Sequence, residues 1–417
     1  MTCRPELSDE QEAAVEALRA WARDRSGPAD ARSLRGLAGT GKTVAAAELV
    51  ARLAEDGQRV AVVAPTGRAA AVLRRKGVAC ATTVHAAAYQ LVGEDEGGGL
   101  AFLPRRQIEA PLAEVEGARP ALGRRALPPE VVVCDEASML TLAQLGDLLA
   151  RAPRVVLVGD PGQLPPVQGG SALATVLGWD LREVRRQALD SGIVRFAHAI
   201  RSGASVAEAL RAGAPDVLAE EPDQVPGAVV VARHEDRLRL NPVLRAAAAE
   251  ERGADPDALP PHPVAGDRLV ALANADGGWC NGSTAEVLRD LGRASPDTWR
   301  ARGPASSLPG GRPYKPGERV ADLPEARRLL CLRDDGERCE LVAVVRALGC
   351  ADASDPHPLV PRSCLAWWGW ALTCHKAQGS EWPTVLAFDR AFGSAEDRRR
   401  WRYTAATRAS RRLHWLA

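Results

Sequence analysis

The chain has 417 residues, of which 46% are hydrophobic and 26% are charged, and its formal net charge at pH 7 is +1. This length predicts two or more domains rather than one compact core. The near-neutral balance excludes a protein that attracts nucleic acid through its overall charge, so any such contact would need a local groove.

Targeting signals and cysteine patterns point to a cytoplasmic protein without membrane contact. No apolar stretch is long enough to span a bilayer, and the first ten residues lack a basic segment followed by an apolar one. The nine cysteines form no C-x-x-C pair, which disfavours a disulfide framework and a zinc site. Only four basic residues are lysines, and we expect lysine where a compact ammonium is needed.

The first part of the chain predicts a parallel sheet covered by helices on both faces. A helix is expected over residues 8–22, where Ser8 and Gln11 fit a capping box. Strands are expected over residues 33–37, 59–64, 131–134 and 154–158, with helices beginning at Thr43, Arg68 and Thr141. Apolar strands that alternate with helices are typical of such sheets.

Residues 86–130 interrupt this alternation with three consecutive glycines and several prolines, which predicts a small insertion. Within it, residues 89–92 and 100–103 would pair as a hairpin. That pairing would place Tyr89 or Phe102 where an aromatic ring can stack on a base pair. The alternative, that Phe102 packs the insertion onto its lobe, stays open because most aromatic side chains are core residues.

A second α/β region is expected from near Leu181, with strands over residues 228–232, 370–373 and 384–388. Short strands over residues 267–273, 283–288, 329–333 and 339–345 predict a small β-barrel inserted in that region. The predicted domains are a first lobe at 1–185, a second lobe at 186–261 plus 363–417, and the barrel at 262–362. Residues 303–317, rich in Gly, Pro and Ser, predict a loop within the barrel.

Residues 36–43, GLAGTGKT, match the phosphate-binding pattern G-x-x-x-x-G-K-[ST] and stand between a predicted strand and a predicted helix. Glycines let backbone N–H groups close around phosphate oxygens at a helix N-terminus. Lys42 would reach the β- and γ-phosphates of ATP, and Thr43 would ligate Mg²⁺. The residues expected to bind the nucleotide in this loop are Gly39, Thr40, Gly41, Lys42 and Thr43. A glycine-rich turn with an unrelated lysine is the alternative, which the flanking elements disfavour.

Residues 131–136, VVVCDE, predict a buried strand that ends in two acids. Asp135 would hold Mg²⁺ and Glu136 would polarise the attacking water, which is the division of labour that phosphoryl transfer to water needs. Acids at a strand end are often merely solvated, but the preceding phosphate-binding loop favours the catalytic interpretation.

The segment at 135–139, DEASM, resembles motif II of superfamily 1 helicases of the RecD-like and phage Dda group. Six further blocks resemble that group's motifs in the same order: APTGRAA at 64–70, TTVH at 82–85, GDPGQLPPV at 159–167, RQ at 186–187, TCHKAQGSE at 373–381 and YTAATRA at 403–409. The resemblance extends over residues 7–409. It implies an α/β fold of two RecA-like P-loop lobes with parallel sheets, a small insertion in the first lobe and a small β-barrel inserted in the second.

The resemblance assigns catalytic roles outside the phosphate-binding loop. Gln163 would sense the γ-phosphate, and Arg186 and Arg408 would be arginine fingers. Planar guanidinium groups suit the spread charge of the phosphoryl-transfer transition state. Because Arg182 and Arg185 flank Arg186, the register of that finger is open by one residue, and a solvated basic face is the alternative.

Two further residues would contact the nucleoside. Gln11 would read adenine, although its capping-box role is an equally good explanation. Glu381 would hydrogen-bond the ribose.

The other blocks imply a groove for a single strand across both lobes. Hydroxyl, imidazole and ammonium donors suit phosphate contacts that do not depend on base sequence. The residues expected to contact nucleic acid are Pro65, Thr66, Thr83, His85, Thr373, His375 and Lys376. A histidine is usually structural, but the motif context favours contact for both histidines. Residues 237–245 resemble a further block, in which Arg237, Asn241 and Arg245 would line the groove.

The resemblance therefore implies an ATP-dependent DNA helicase or translocase that acts as a monomer, uses ATP and Mg²⁺ and moves 5′ to 3′. Its expected partners are single-stranded and forked duplex DNA together with replication, repair or recombination proteins. A DNA-stimulated ATPase clamp or regulatory NTPase without processive unwinding stays open as an alternative, as does RNA as the track. The insertion at 86–130 shows no clear match to the group's strand-separating hairpin, which bears on unwinding rather than on ATP hydrolysis.

Overall fold

The computed structural model describes residues 6–24, 26–75, 78, 80–94, 100–104, 128–185, 188, 190–272, 279, 281–294, 325–334, 336–349 and 365–417, without the side chains of 75, 90–94 and 100–104. The chain divides into two compact units. The first unit comprises residues 1–65, 69–92 and 102–189, and the second unit comprises residues 66–68, 93–101 and 190–417.

The N-terminal half of the chain alternates strands and helices, as the sequence predicts. Its elements are α1 (Asp9–Arg23), β1 (Asp30–Gly36), α2 (Lys42–Glu55), β2 (Val60–Ala64), α3 (Gly67–Arg75), β3 (Thr82–Thr83), α4 (Val84–Ala88), β4 (Tyr89–Glu94), β5 (Leu100–Pro104), β6 (Val131–Cys134), α5 (Leu142–Leu149), β7 (Arg154–Gly159), α6 (Ala172–Thr175) and β8 (Gly178–Leu181). Six of these strands form one parallel sheet in the order β3-β2-β6-β7-β1-β8. Strands β4 and β5 pair separately as the predicted hairpin.

The segment that ends at Leu181, near which the second α/β region is expected to begin, belongs to the first sheet and lies within the predicted first lobe at 1–185. Leu181 ends β8, an edge strand of the first sheet, and pairs in parallel register with Gly36 of β1. The segment GWDL is too short and too polar to show a strand pattern in sequence, and only its pairing with β1 identifies it.

The first sheet is buried on both faces because helices cover both. Along β6, Val131 and Val133 pack with α1 and α2, whereas Val132 and Cys134 pack with residues of α4 and α5 on the opposite face. Every residue of this strand is buried. A central parallel strand is therefore apolar at every position. This explains why the sequence shows consecutive apolar residues here and not an alternation of apolar and polar residues.

The C-terminal half of the chain contains two further five-stranded sheets. Its elements are α7 (Gly192–Arg201), α8 (Val206–Gly213), β9 (Val217–Leu218), β10 (Ala228–Val231), α9 (His234–Glu251), β11 (Arg268–Ala271), β12 (Thr284–Arg293), β13 (Ala326–Arg333), β14 (Arg338–Val344), β15 (Ala366–Trp368), β16 (Ala371–Thr373), α10 (Cys374–Ala377), β17 (Trp382–Phe388), α11 (Ala395–Ala406) and β18 (Ala409–Leu416). One sheet is parallel, in the order β16-β10-β17-β18-β9. The other is antiparallel, in the order β14-β13-β12-β11-β15, and is called the inserted sheet because its strands lie between α9 and β16 in the chain.

Helix α9 joins the inserted sheet to the parallel sheet of the second unit through three buried polar residues. The Oδ1 atom of Asn241 accepts the backbone N–H groups of Trp370 at 3.0 Å and Ala371 at 2.9 Å. Arg245 pairs with Asp267, which is 0% exposed, and the Arg237 guanidinium lies 3.8 Å from the centre of a tryptophan ring.

The prediction that Arg237, Asn241 and Arg245 line a groove is therefore wrong. They are 1%, 2% and 8% exposed, so they face the interior of the second unit. Their spacing of four residues places all three on one face of α9, and that face packs against protein. Among the described residues, no helix is both long enough and apolar enough to cross a membrane.

Candidate functional site

The loop between β1 and α2 has the geometry of a phosphate-binding loop. Gly39 and Gly41 have φ angles of 84° and 75°, which only glycine adopts without strain. A Cβ atom at Gly36 would lie 2.4 Å from Thr40 Oγ1, so the start of the loop also requires glycine. Helix α2 begins directly afterwards at Lys42, and the unpaired N–H groups of its first turn can bind an anion.

Lys42 is held inside this loop by two oxygen atoms. Its Nζ donates a hydrogen bond to the carbonyl oxygen of Leu37 at 2.9 Å and lies 3.7 Å from Asp160 Oδ2. Asp160 is 2% exposed and follows β7, and its Oδ1 accepts the N–H of Gly162 at 2.8 Å. The ammonium is therefore already positioned at the loop, next to a buried carboxylate.

Asp160 is a functional candidate that the sequence reasoning missed. The block at 159–167 was interpreted only for Gln163. The available signal was an acid directly after a buried apolar strand, the same pattern that singled out Asp135 after β6. Because parallel strands β6, β7 and β1 are neighbours, Asp135, Asp160 and the phosphate-binding loop lie at consecutive positions on the carboxyl edge of the sheet.

Glu136 has a strained backbone. Its φ is 53°, and it is the one non-glycine residue with positive φ among the described residues. Its N–H donates to Asp135 Oδ1 at 2.9 Å, which ties the two acids together. A left-handed conformation at a non-glycine residue costs about 1 to 2 kcal/mol. Such strain is found mainly where a side chain must point in one functional direction.

Gln163 has an oxygen atom without a partner. The residue is 8% exposed, and its Oε1 is buried with no hydrogen-bond donor in the described part of the chain. Its backbone N–H donates to the carbonyl of Asp160 at 3.2 Å, so the side chain belongs to the turn after β7. A buried acceptor left unpaired costs about 1 to 3 kcal/mol, so this oxygen suits a ligand.

Gln11 fills its capping role and also contacts the phosphate-binding loop. Its Oε1 accepts the N–H of Ser8 at 3.0 Å, and the Ser8 hydroxyl accepts the N–H of Gln11 at 3.4 Å, which confirms the capping box. Its Nε2 donates to the carbonyl oxygen of Thr40 at 2.9 Å. The contact with adenine stays a prediction.

The basic segment at 182–186 reaches the phosphate-binding loop through Arg185, the neighbour of Arg186 that the open register allows. The N–H of Arg185 donates to the carbonyl of Gly39 at 3.0 Å, and its Nη1 donates to Gln11 Oε1 at 3.2 Å. Arg186 lies outside the described residues. Arg185 is therefore the arginine that the structure places beside the loop.

A magnesium ion fits the oxygen atoms available at this edge of the sheet. Thr43 lies in the first turn of α2 and Asp135 follows β6, and hydroxyl and carboxylate oxygens are the ligands that Mg²⁺ prefers. In the described ranges, no group of three or more His, Cys, Asp and Glu side chains could hold a metal ion without further ligands. Magnesium is usually held by one or two protein oxygens together with substrate phosphates, and the oxygens of Thr43 and Asp135 would supply the protein part.

The residues predicted for nucleic acid in the N-terminal half follow strand ends. Pro65 and Thr66 come directly after β2. Thr83 is the N-cap of α4, and its side chain accepts the N–H of Ala86 at 3.1 Å. The His85 ring stacks on Tyr89 with 5.0 Å between centroids, and desolvation lowers the pKa of this imidazole.

Tyr89 is not available as a wedge in this arrangement. Its hydroxyl donates a hydrogen bond to Asp147 of α5, and its ring packs against the core of the first unit. The side chain of Phe102 lies outside the described residues, so its role stays a prediction.

Within the second unit, Thr373, His375 and Lys376 are brought together at the end of β16. Thr373 is the N-cap of α10, and His375 and Lys376 lie on that helix. Lys376 Nζ donates to Asn281 Oδ1 at 2.7 Å, and burial lowers the pKa of this lysine. Glu381 is exposed and directly precedes β17.

Arg408 is buried at 5% exposure, in the turn between α11 and β18. Its Nε donates to the Thr404 carbonyl and its Nη1 to the Ser380 carbonyl, both at 3.1 Å, while its Nη2 donates to Thr407 Oγ1 at 3.0 Å. Its guanidinium is thus held by three oxygens of the second unit.

Comparison with known proteins gives two family matches. Residues 6–219 match the model described as AAA domain, and residues 369–416 match the UvrD-like helicase C-terminal domain.

Two curated relatives are similar to the N-terminal half. The RecBCD enzyme subunit RecD of Mycobacterium tuberculosis is 34% identical over 197 residues, which cover 44% of this chain and 32% of that protein. The ATP-dependent RecD2 DNA helicase of Deinococcus radiodurans is 35% identical over 178 residues, which cover 41% of this chain and 21% of that protein. The chain thus matches about a third or less of the length of these relatives.

Two solved structures share the fold over nearly the whole chain. The Pif1 helicase from Candida albicans is 18% identical with a TM-score of 0.53, covering 99% of this chain and 94% of that one. The Bacteroides Pif1 bound to single-stranded DNA is 16% identical with a TM-score of 0.51, covering 99% and 92%. These likenesses show an α/β fold with parallel sheets that fits two RecA-like lobes.

Proposed function

This chain belongs to the AAA-domain family, as a RecD-like protein of superfamily 1, and from that premise we propose that it is an ATP-dependent DNA helicase. The observation that carries the proposal is the carboxyl edge of the first sheet. There the phosphate-binding loop, the acids after β6 and the acid after β7 occupy neighbouring positions. This arrangement suits phosphoryl transfer from ATP to water, where positioning and electrostatics supply most of the catalysis.

In the proposed mechanism, the phosphates of ATP bind at the N-terminus of α2. Lys42 exchanges its hydrogen bond with the Leu37 carbonyl for one with the β- and γ-phosphates. Thr43 and Asp135 would hold Mg²⁺, which would neutralise phosphate charge. The buried carboxylate of Asp160 holds the ammonium near the loop when the nucleotide leaves.

Glu136 is the proposed base, and its strained backbone aims the carboxylate toward the attacking water. Gln163 is the proposed γ-phosphate sensor. Its carboxamide can accept a hydrogen bond from that water through the unpaired Oε1 and donate to the γ-phosphate through Nε2. Both partners exist only when ATP is bound, so Gln163 would report the nucleotide state.

The arginine fingers are part of the proposal. Arg408 would leave the carbonyl oxygens of Thr404 and Ser380 to contact the γ-phosphate, so its contribution depends on a conformational change. Arg186 keeps its proposed role as the second finger. Arg185 is proposed to position Gln11, whose contact with adenine completes the nucleotide site together with the contact of Glu381 with the ribose.

The proposed track is single-stranded DNA, with movement from 5′ to 3′ and unwinding of forked duplexes. Support comes from the single-stranded DNA bound by the Bacteroides Pif1 and from the DNA helicase activity named for the Deinococcus relative. The residues proposed to contact DNA are Pro65, Thr66, Thr83, His85, Thr373, His375 and Lys376. Their donors favour phosphate contacts, so binding should be largely indifferent to base sequence.

The finer architecture and cell biology are also proposed. The lobes would span 1–185 and 186–261 plus 363–417, and the inserted sheet would close into a small β-barrel within 262–362. One core cluster draws residues from all five strands of this sheet, including Leu269, Ala285, Cys331, Leu341 and Ala366, as a curved sheet would. We further propose a cytoplasmic monomer that works with replication or repair proteins.

The experiment that tests the function is steady-state ATP hydrolysis with no polymer, with oligothymidine and with oligouridine. We expect strong stimulation by oligothymidine and weaker stimulation by oligouridine. Equal stimulation by both would identify RNA as an equally good track. Hydrolysis that no polymer stimulates would reject the motor.

A further inference from the structure

Two separate segments of the second unit meet at the ammonium group of Lys376, and a third segment lies within reach of its charge. Lys376 lies on α10, Asn281 lies in the turn between β11 and β12 of the inserted sheet, and His234 begins α9. The Lys376 Nζ donates to Asn281 Oδ1 at 2.7 Å. Desolvation, together with the charges of Arg237 and Lys376, lowers the pKa of His234, which favours its neutral imidazole over the cation.

The partner of Lys376 is neutral, which distinguishes it from the described cations that form ion pairs. Arginines such as Arg52, Arg245 and Arg327 pair with carboxylates that cancel their charge. No described carboxylate forms an ion pair with Lys376. An amide oxygen orients the ammonium and leaves its full charge and two further N–H donors for a ligand. Lys376 is half-buried as a residue, and its hydrogen bond with Asn281 lies at the surface, where a phosphate can reach the ammonium.

Asn281 is held in place by the inserted sheet. The next residue, Gly282, has a φ of 89° and donates its N–H to the carbonyl of Ala271 at 2.8 Å. This backbone bond ties Gly282 to the end of β11, so Asn281 lies directly beside the inserted sheet. The inserted sheet therefore determines where the Lys376 ammonium lies.

We propose that Asn281 is a positioning residue of the nucleic-acid-binding surface, which fixes Lys376 against a backbone phosphate of the single strand. This inference rests on the proposed function, and it adds the inserted sheet to the track-binding surface. Aspartate at the same position would accept the same hydrogen bond and would neutralise the ammonium. A role in folding alone would tolerate that change, whereas a role in phosphate binding would not.

The test measures binding of fluorescein-labelled oligothymidine to the full chain over a range of salt concentrations. Asn281→Asp should raise the Kd roughly tenfold at 0.1 M salt, because its carboxylate competes with phosphate for Lys376. The slope of log K against log salt should become shallower by about 0.7, the value for one phosphate contact on a single strand. Asn281→Ala should raise the Kd by roughly three- to tenfold with an unchanged slope, because the ammonium keeps its charge and loses its orientation.

The matched control is Gln224→Glu, which adds the same charge to the second unit at an exposed position and should change the Kd by less than about twofold. Thermal unfolding of each variant shows whether the fold is kept. If Asn281→Asp unfolds, Asn281→Ala carries the test, and wild-type affinity in that variant overturns the inference. If Asn281→Asp matches Gln224→Glu in Kd and slope, the inference is also wrong, although wild-type binding still supports the proposed function. A wild-type protein that does not bind oligothymidine overturns both.

Discussion

Replacing Asn241 by alanine should destabilise the second unit strongly. Asn241 is 2% exposed, and its Oδ1 accepts the N–H groups of Trp370 and Ala371 at 3.0 and 2.9 Å. Its Nδ2 donates to the Ala371 carbonyl at 3.1 Å. Alanine leaves two buried N–H groups without their acceptor, and each costs about 1 to 3 kcal/mol. We therefore expect a loss of about 2 to 6 kcal/mol in the free energy of unfolding.

Urea unfolding followed by tryptophan fluorescence measures this loss, because several tryptophans surround α9. The control is Val243→Ala on the same helix, where the side chain is 62% exposed and the change should stay within about 0.5 kcal/mol. Binding of single-stranded DNA should fall only as far as the fold is lost. If Asn241→Ala has the same unfolding midpoint as Val243→Ala but binds DNA much more weakly, the structural role of the Asn241 hydrogen bonds is refuted. Asn241 would then be a residue of the DNA-binding groove.

Three further predictions concern the nucleotide and the track. Glu136→Gln should bind Mg·ATP normally and lose ATP turnover by a factor of about 10² or more. Lys42→Ala should lose both Mg·ATP binding and turnover. Near wild-type turnover in Glu136→Gln would reject Glu136 as the catalytic base. Binding of single-stranded DNA should weaken steeply as salt rises and should depend little on base sequence. Lys376→Ala should make the slope of log K against log salt shallower by about 0.7. A strong sequence preference at physiological salt would argue against phosphate contacts. Phe102→Ala should uncouple unwinding from ATP hydrolysis if this ring is the wedge, and unchanged unwinding with coupled hydrolysis would remove it from that role.

Local patterns predict the first unit well. The run at Val131–Cys134 identifies a central buried strand, and the glycines and Lys42 of the phosphate-binding loop require little context beyond the flanking elements. Ser8 and Gln11 predict the first helix through their capping box, which the structure confirms. In each case the determining interactions lie within a few residues along the chain.

Features that depend on distant partners are harder to predict. The polar face of α9, formed by Arg237, Asn241 and Arg245, has the same spacing whether it faces a groove or the interior. Its burial depends on Asp267 and on the backbone after β15, which lie far along the chain. The contact between Lys376 and Asn281 joins residues 95 positions apart, and no periodic pattern encodes such a pairing.

The most direct test of the central proposal is ATP-dependent strand separation of two duplexes, one with a 5′ single-stranded tail and one with a 3′ tail. We predict that the wild-type chain unwinds the 5′-tailed duplex with ATP and leaves the 3′-tailed duplex intact. Glu136→Gln should bind both substrates and unwind neither. Unwinding from the 3′ tail alone would overturn the proposed polarity. Stimulated ATP hydrolysis without strand separation from either tail would contradict the helicase and favour an ATPase clamp.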